Sequence, residues 1–363
     1  MALYNTIRQL PRDRFRCTLV VFGVYPGVRL SDFFDCPTYD FPMRRTYDWN
    51  ALQTALKLSR LIRREHVDIV HTFFETSDLW GGAIAKLSGC PILVSSRRDM
   101  GIQRESKHDK GYRFMRRYTD LVLAVSGQVR DFSIERDGLD PQKVFTLYNG
   151  VDLGRLDQSQ GSKELRSSLG LQDASHLIST VGNLRPIKGT DVMIRAMAIV
   201  RRKFPRAVYV IAGLPHDRAY AQQLKELCQE LGVTENIRFA GNQDNIGRFL
   251  KMTQIFCLPS RSEGFSNALI EAMACSLPCV ATRVGGNAEA LEEGVSGFLV
   301  ESEDVEAMAA RILGLLENPE KARQMGAAAR RAVEERFTIT AMTSKLVQLY
   351  EGLLQQKRNV KRS

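Results

Sequence analysis

Glu263 and Glu271 lie eight residues apart in PSRSEGFSNALIEAMACSLPCVAT, residues 259–282. The run IFCLPS before them reads as a strand, and Ser266 or Asn267 can cap the helix that follows. Glu263 therefore stands at the mouth of the helix and Glu271 about one turn inside it. The amides of Gly264, Phe265, Ser266 and Asn267 turn their N–H groups toward whatever occupies the space beyond the strand, which Glu263 also faces. Two carboxylates can serve as the acid and base of a glycoside hydrolase. Beside helix-start amides they read better as hydroxyl acceptors, suited to the vicinal hydroxyls of a sugar or a ribose. Leu269, Ile270, Met273 and Ala274 are left for packing.

A second group lies in STVGNLRPIKGTDVMIRAM, residues 179–197. A strand ends at Gly182, a loop carries Asn183, Arg185 and Lys188, and a helix opens at Gly189 or Thr190. Two cations beside a helix N-terminus make an anion site, since side-chain charge, helix dipole and free amides act together. Arginine grips phosphate oxygens as a fork and lysine acts as a point charge. The carboxyl end of a parallel strand is also where open α/β sheets bind their ligands. Earlier in the chain, IVHTFFE places His71 and Glu75 at a strand end, and SSRRDMG offers Arg97, Arg98 and Asp99 at another. A lone histidine in such a place is as often structural as functional. Ser126 in AVSGQV reads as a helix cap.

These groups need strands and helices to hold them. HLISTVG, AVYVIAG, NIRFAG, IFCLPS, LPCVAT and GFLV are strand-like runs separated by helical patterns, such as Met193, Met197 and Val200 or Leu224, Leu227 and Leu231. The first half repeats the rhythm with CTLVVFG, DIVHTF, PILVSS, LVLAVS and KVFTLY, and helical patterns near 50–65, 77–88, 107–117 and 127–137. Strand–helix alternation predicts parallel sheets covered on both faces. Two doubly wound α/β domains follow, residues 1–152 and 153–337, with LGRLDQSQGS as a linker. Residues 338–363 form a terminal helix striped by Met342, Leu346, Leu349 and Leu353, which must cover an apolar surface. Its end, KRNVKRS, is expected to fray. Residues 2–10 read as a helix ended by Pro11, where a doubly wound domain usually opens with a strand and a glycine-rich turn. The expectation is that this strand is missing and the chain as written weakly active or poorly stable.

Composition narrows the field. The chain has 363 residues, a hydrophobic fraction of 44% and a charged fraction of 25%, as in globular proteins. Its longest apolar runs are strand-sized, and no export leader opens it. Seven cysteines without CxxC spacing predict reduced thiols in the cytoplasm, and five scattered histidines predict no protein metal site. The net charge of +10 is uneven: residues 97–117 hold eight Lys/Arg against three Asp/Glu. That segment is read first as a solvated surface, and second as a contact for phosphates or an anionic membrane face. Nucleic acid is not expected, since no aromatic-interleaved basic motif or zinc knuckle accompanies the charge.

VGNLRPIKGTDVMIRAM, AVSGQVRDF, LYNGVD and the glutamate pair in EGFSNALIEAMACSLPCVAT together resemble the retaining GT-B glycosyltransferases of family 4, from about Asp68 to the terminal helix. The resemblance implies two Rossmann-like domains facing across a cleft, with the last helix returning to the first domain. It implies that Arg185 and Lys188 hold the diphosphate of a nucleotide-sugar donor, that Glu263 contacts the transferred sugar, and that Glu271 takes the ribose hydroxyls. Gly182, Asn183 and Asn267 join the donor site, and the amides of Gly264, Phe265 and Ser266 line sugar and phosphate. Glu263, Arg185 and Lys188 are then the catalytic group, without a metal or other cofactor. SSRRDMG resembles the acceptor-side loop, so His71, Glu75, Arg98 and Asp99 are assigned to the acceptor. The implied partners are a nucleoside-diphosphate sugar and a glycan or lipid-linked acceptor, in cell-surface polysaccharide or lipopolysaccharide assembly. The implied place is the cytoplasm, with peripheral contact at the inner face of the membrane. A non-catalytic descendant that only binds nucleotide is the main alternative. A nicotinamide dehydrogenase is disfavoured because no GxGxxG with a following acid succeeds a strand. Non-hydrolysing sugar-nucleotide epimerases share the architecture but not this signature.

Overall fold

The computed structural model describes residues 2–23, 32–101, 104–159 and 163–362. They divide into two compact units, Met1–Gly150 together with Ile339–Ser363, and Val151–Thr338. All the paired strands in both units are parallel.

The first unit starts with helix α1 (Ala2–Gln9), which buries Ile7, with Leu10 just beyond its end. Strands β1 (Leu19–Val21) and β2 (Thr38–Asp40) form a parallel pair. Helix α2 (Trp49–Arg64) opens where the Asp48 carboxylate accepts the Ala51 N–H at 2.8 Å. A four-stranded sheet follows in chain order, β3 (Ile69–Phe73), β4 (Ile92–Arg97), β5 (Leu121–Ala124) and β6 (Val144–Thr146). Its crossovers are a π-helical turn (Ser77–Gly81) running into α3 (Gly82–Leu87), then α4 (Ser106–Met115) and α5 (Gly127–Asp137). Ser126 caps α5 by accepting the Val129 N–H, and Gly138 ends it at φ 63°. β4 and β5 are buried along their whole length, as central strands covered on both faces must be.

The second unit begins with α6 (Leu153–Asp157) and α7 (Lys163–Ser168). The segment expected to be a linker therefore folds in part: Asp152 caps α6, and its Leu156 is buried. Six strands follow: β7 (His176–Val181), β8 (Ala207–Ala212), β9 (Ile237–Gly241), β10 (Ile255–Leu258), β11 (Cys279–Thr282) and β12 (Gly297–Val300). The helices between and after them are α8 (Thr190–Lys203), α9 (Arg218–Glu230), α10 (Ile246–Lys251), α11 (Asn267–Ala274), α12 (Asn287–Ala290), α13 (Val305–Glu317) and α14 (Pro319–Arg336). The order across the sheet is β9-β8-β7-β10-β11-β12. The chain lays down β7, β8 and β9 outward in one direction, then returns to the far side of β7 and proceeds the other way. That reversal places a crevice beyond the carboxyl ends of β7 and β10.

Helix α15 (Ile339–Arg362) belongs to the first unit. Its Leu346, Val347 and Tyr350 share one apolar cluster with Leu10, Ile92, Val94, Leu121 and Leu123. The striped face thus covers the first sheet. The expected fraying at KRNVKRS is corrected: the helix continues through Arg362, and Lys357 reaches back to Asp120 at 2.8 Å.

Candidate functional site

The loops that leave β7 and β10 are locked together by backbone. The chain between β7 and α8 ends in a short 3-10 turn (Pro186–Lys188) and in Gly189 at φ 64°. A Cβ on Gly189 would stand 1.9 Å from the Pro259 carbonyl oxygen, so only glycine allows the two loops to approach this closely. The Arg261 N–H donates to the Ile187 carbonyl at 2.8 Å, adding a direct bond between them. The Arg261 guanidinium grips Asp191, in the first turn of α8, at 2.7 and 2.9 Å and also donates to the Pro186 carbonyl. Arg261 and Asp191 were not singled out by sequence reasoning. Seventy residues separate them, and the only local sign is an arginine two positions before Glu263.

On this frame Lys188 Nζ donates to Glu263 Oε1 at 2.6 Å, and Ser260 Oγ donates to the same oxygen at 2.7 Å. Only a tenth of the Glu263 side chain is exposed. The loop after β11 fixes its main chain: Gly286 N–H donates to the Gly264 carbonyl at 2.9 Å. A Cβ on Gly285 would come within 1.8 Å of the Glu263 carbonyl oxygen. Ser266 caps α11, its Oγ accepting the Leu269 N–H at 3.3 Å, so Asn267 is the first helical residue. Phe265 is buried against Phe337, ring centroids 5.2 Å apart.

The other residues expected at the donor site are held as follows. Gly182 N–H donates to the Ala212 carbonyl, and Asn183 Oδ1 accepts the Leu214 N–H at 3.3 Å, which ties the β7 loop to the one after β8. Arg185 is exposed three residues before Lys188, and among the described residues its side chain has no hydrogen-bond or ion-pair partner. Glu271 is mostly buried on α11 and also lacks a described side-chain partner; burial pushes its carboxyl up to about 7, against a weaker opposing pull from Arg155. Lys188 and Glu263 are thus brought into contact at the switch point.

In the first unit the residues expected on the acceptor side each have described partners. His71 is the middle residue of β3, not its end. Its Nδ1 lies 2.6 Å from Tyr350 Oη and its Nε2 2.7 Å from Ser96 Oγ. Burial, helped by the Arg98 charge, holds the imidazole pKa down to about 3. Nδ1 docks α15 and Nε2 bonds β4, and the α15 contact is hidden from sequence reasoning because 279 positions separate the partners. Glu75 pairs with His108 at 3.0 Å, Arg98 donates to Asn149 Oδ1 at 2.6 Å, and exposed Asp99 accepts the Gly101 N–H at 2.7 Å. Arg97 is buried in a polar knot with Asp78 at 2.7 Å and Asp137 at 3.4 Å, and both Arg97 and Arg104 lie 4.0 Å from the Tyr112 ring. Two of the eight cations in 97–117 are therefore internal rather than solvated. Among the described residues no group of three or more His, Cys, Asp or Glu side chains is placed to hold a metal ion.

The His71 contact has a measurable consequence. The unfolded imidazole takes a proton near pH 6.5 and the folded one only near 3, so stability falls as pH drops between those values. We expect a loss of about 3 kcal/mol from pH 6.5 to 4 at the ordinary 1.4 kcal/mol per unit. Urea titrations across that range should show the slope in the wild type and its loss in His71→Gln.

Comparison with known proteins matches residues 161–332 to the family model for Glycosyl transferases group 1, and residues 1–155 to the one for Glycosyltransferase Family 4. The N-acetyl-alpha-D-glucosaminyl L-malate synthase of Bacillus anthracis is 26% identical over 93% of this chain and 87% of its own length. The UDP-Gal:alpha-D-GlcNAc-diphosphoundecaprenol alpha-1,3-galactosyltransferase of Escherichia coli is 24% identical over 96% of this chain and 92% of its own. Among solved structures, Anabaena Alr3699/HepE in complex with UDP superposes with a TM-score of 0.85, at 20% identity, covering 97% of this chain and 95% of that one.

Proposed function

The chain belongs to glycosyltransferase family 4 and has the GT-B fold, and we propose that it transfers a sugar, with retention, from a nucleoside-diphosphate donor to a glycan or lipid-linked acceptor. The observation that carries this reading is the Lys188–Glu263 contact at the switch point, with Arg185 open beside it. The diphosphate lies against Arg185, Lys188 and the amides from Gly264 to Asn267. Glu263, half-neutralised by Lys188, directs its remaining oxygen to hydroxyls of the transferred sugar, and Glu271 receives the ribose hydroxyls. Glu263 is not a covalent nucleophile.

In the reaction the bond from the anomeric carbon to the phosphate oxygen breaks, and the diphosphate leaves with the electron pair. The acceptor oxygen bonds to that carbon on the face just vacated, and its proton passes to the departing phosphate. Negative charge grows on the phosphate as the bond breaks, and fixed cations and amides aimed there lower the barrier without having to reorganise. Arg185 and Lys188 supply the charge a metal would bring, so the enzyme works without one. Arg98 and Asp99 orient the acceptor; His71 and Glu75 act behind them through their bonds to α15 and α4.

The relatives' names support this scope: the Escherichia coli protein's specifies UDP-Gal and a diphosphoundecaprenol-linked acceptor, and the Anabaena structure holds UDP. The setting we infer is cell-surface polysaccharide or lipopolysaccharide assembly at the cytoplasmic face of the membrane. Exposed Lys110, Arg113, Arg116 and Arg117 support peripheral contact there, and no described helix is long and apolar enough to cross a bilayer. The test is a panel of nucleotide sugars screened by thermal shift, then transfer assayed with and without EDTA and the product's anomeric configuration read by NMR. A raised melting point, EDTA-insensitive turnover and a retained anomer are expected. An inverted anomer would overturn retention, and no shift with any donor would favour a different ligand class.

A further inference from the structure

Helix α2 carries two apolar faces. One is the buried set Ala51, Thr54, Leu58, Leu61 and Ile62. On the opposite side Trp49 is 72% exposed and Leu52 and Leu56 49% each, and Tyr47, just before the helix, is 82% exposed. At 100° per residue Trp49, Leu52 and Leu56 fall within about 60° of arc, so they form one outward stripe over the first two turns. Scattered exposed leucines are ordinary on a protein surface; an aligned tryptophan and two leucines with a tyrosine beside them are not.

The charge around the stripe is predominantly of one sign. Residues 44–64 contain six Lys/Arg against one acid, Asp48, and that carboxylate is occupied in capping the helix. Arg44, Arg45, Lys57 and Arg60 are exposed, and among the described residues they have no ion-pair partner. Lys107 of α4 lies close enough to Tyr47 for the two to interact electrostatically, and it is paired with Glu105 at 2.9 Å. A protein partner would be expected to meet acids as well as cations. A surface with apolar residues at its centre, aromatic residues at its edge and an excess of unpaired cations around it matches the layering of an anionic bilayer interface.

We propose that the outward face of α2 docks this protein on an anionic lipid surface, with Trp49, Leu52 and Leu56 entering the boundary between headgroups and acyl chains and Arg44, Arg45, Lys57 and Arg60 engaging the lipid phosphates. The inference rests on the reading that the acceptor is held at a membrane, and it deepens that reading by naming the surface. Docking by α2 would fix which side of the first unit faces the bilayer and so where a lipid-linked acceptor approaches.

The experiment is sedimentation of the full chain with phosphatidylcholine vesicles containing phosphatidylglycerol, against pure phosphatidylcholine, over a range of salt. Wild type should prefer the anionic vesicles by about tenfold or more and lose the preference as salt rises. Trp49 emission should shift to the blue on binding, and Trp49→Phe should remove that shift, leaving Trp80 as the internal control. The variant carrying Trp49→Ser, Leu52→Ser and Leu56→Ser should bind both vesicle types about tenfold or more weaker. Lys57→Gln with Arg60→Gln should lose the anionic preference alone. Circular dichroism and melting temperature check that each variant is folded, and turnover with a water-soluble acceptor should be unchanged in all of them. Equal binding of wild type and the stripe variant, or no anionic preference in wild type, would overturn the proposal while leaving the transferase reading intact. So would a wild-type dimer, seen by sedimentation velocity, that the stripe variant abolishes, since the face would then belong to a second copy. Absent turnover with every acceptor would instead count against the transferase reading.

Discussion

Lys188→Ala is expected to lower kcat about a thousandfold while raising the donor KM far less. Removing one well-placed donor to a developing oxyanion costs about a hundred- to a thousandfold. Lys188 stands at the upper end because it does two things. In the proposed reaction it meets the charge of the departing diphosphate, and its 2.6 Å bond to Glu263 sets the orientation of the carboxylate proposed to read the sugar. Arg185→Ala should cost about a hundredfold, since Arg185 is exposed and positions no other described residue. A folding penalty accompanies the lysine change alone. Glu263 keeps only Ser260 as a partner in a site where a tenth of its side chain meets solvent, which costs about 1–3 kcal/mol. Combining Lys188→Met with Glu263→Gln removes the stranded charge, so stability should recover while turnover does not. Steady-state kinetics and urea unfolding on the four forms separate the two effects. A kcat within threefold of wild type in Lys188→Ala would remove Lys188 from the catalytic group.

How far the sequence could carry this picture depends on the range of each interaction. Strand and helix patterns are local: the runs from His176 to Val300 mark all six strands of the second sheet because the central ones are buried and largely apolar and even the edge strand β9 keeps Ile237 and Phe239. Cap and turn chemistry is equally local, so Ser126 and Ser266 were legible as caps. Strand β2, only three residues long and half-polar, leaves no periodic trace. The site divides in the same way. Arg185, Lys188 and Glu263 stood out because each lies where a strand gives way to a helix, and Glu271 because it is a carboxylate within the apolar helix that follows. Arg261 and Asp191, which hold the two loops in register, are ordinary surface-type residues until the fold brings them together. His71 shows the limit from the other side. At the end of an expected strand it could be structural or functional, and its ring nitrogens are spent on Tyr350 and Ser96, on elements that no local pattern could associate with it.

Donor affinity is expected to rise as pH increases through 7, with Glu271 as the cause. The carboxyl is mostly buried, has no described side-chain partner, and keeps its proton up to about pH 7 in the folded chain against 4.5 in the ordinary case. Between those two values the folded state holds a proton that the unfolded state has lost, so stability falls with rising pH across the window and levels off above 7. The penalty reaches about 3 kcal/mol when Glu271 is fully ionised. Ribose hydroxyls reverse this, because they donate to the ionised form and replace the water it lost on burial. Nucleotide binding should therefore expel the Glu271 proton below pH 7, weaken by as much as about tenfold per unit as pH drops from 7 toward 5, and become flat above 7.5. Calorimetry in two buffers of different ionisation enthalpy should register nearly one proton released per nucleotide at pH 6 and almost none at pH 8. Glu271→Gln should abolish that release and the slope in affinity, bind nucleotide about tenfold or more weaker at pH 8, and unfold at higher urea there than the wild type. The combination of weaker binding with greater stability distinguishes a ligand-directed carboxyl from a structural one, whose loss would lower both. Proton release unchanged in Glu271→Gln would assign the titration to another group and remove Glu271 from the ribose.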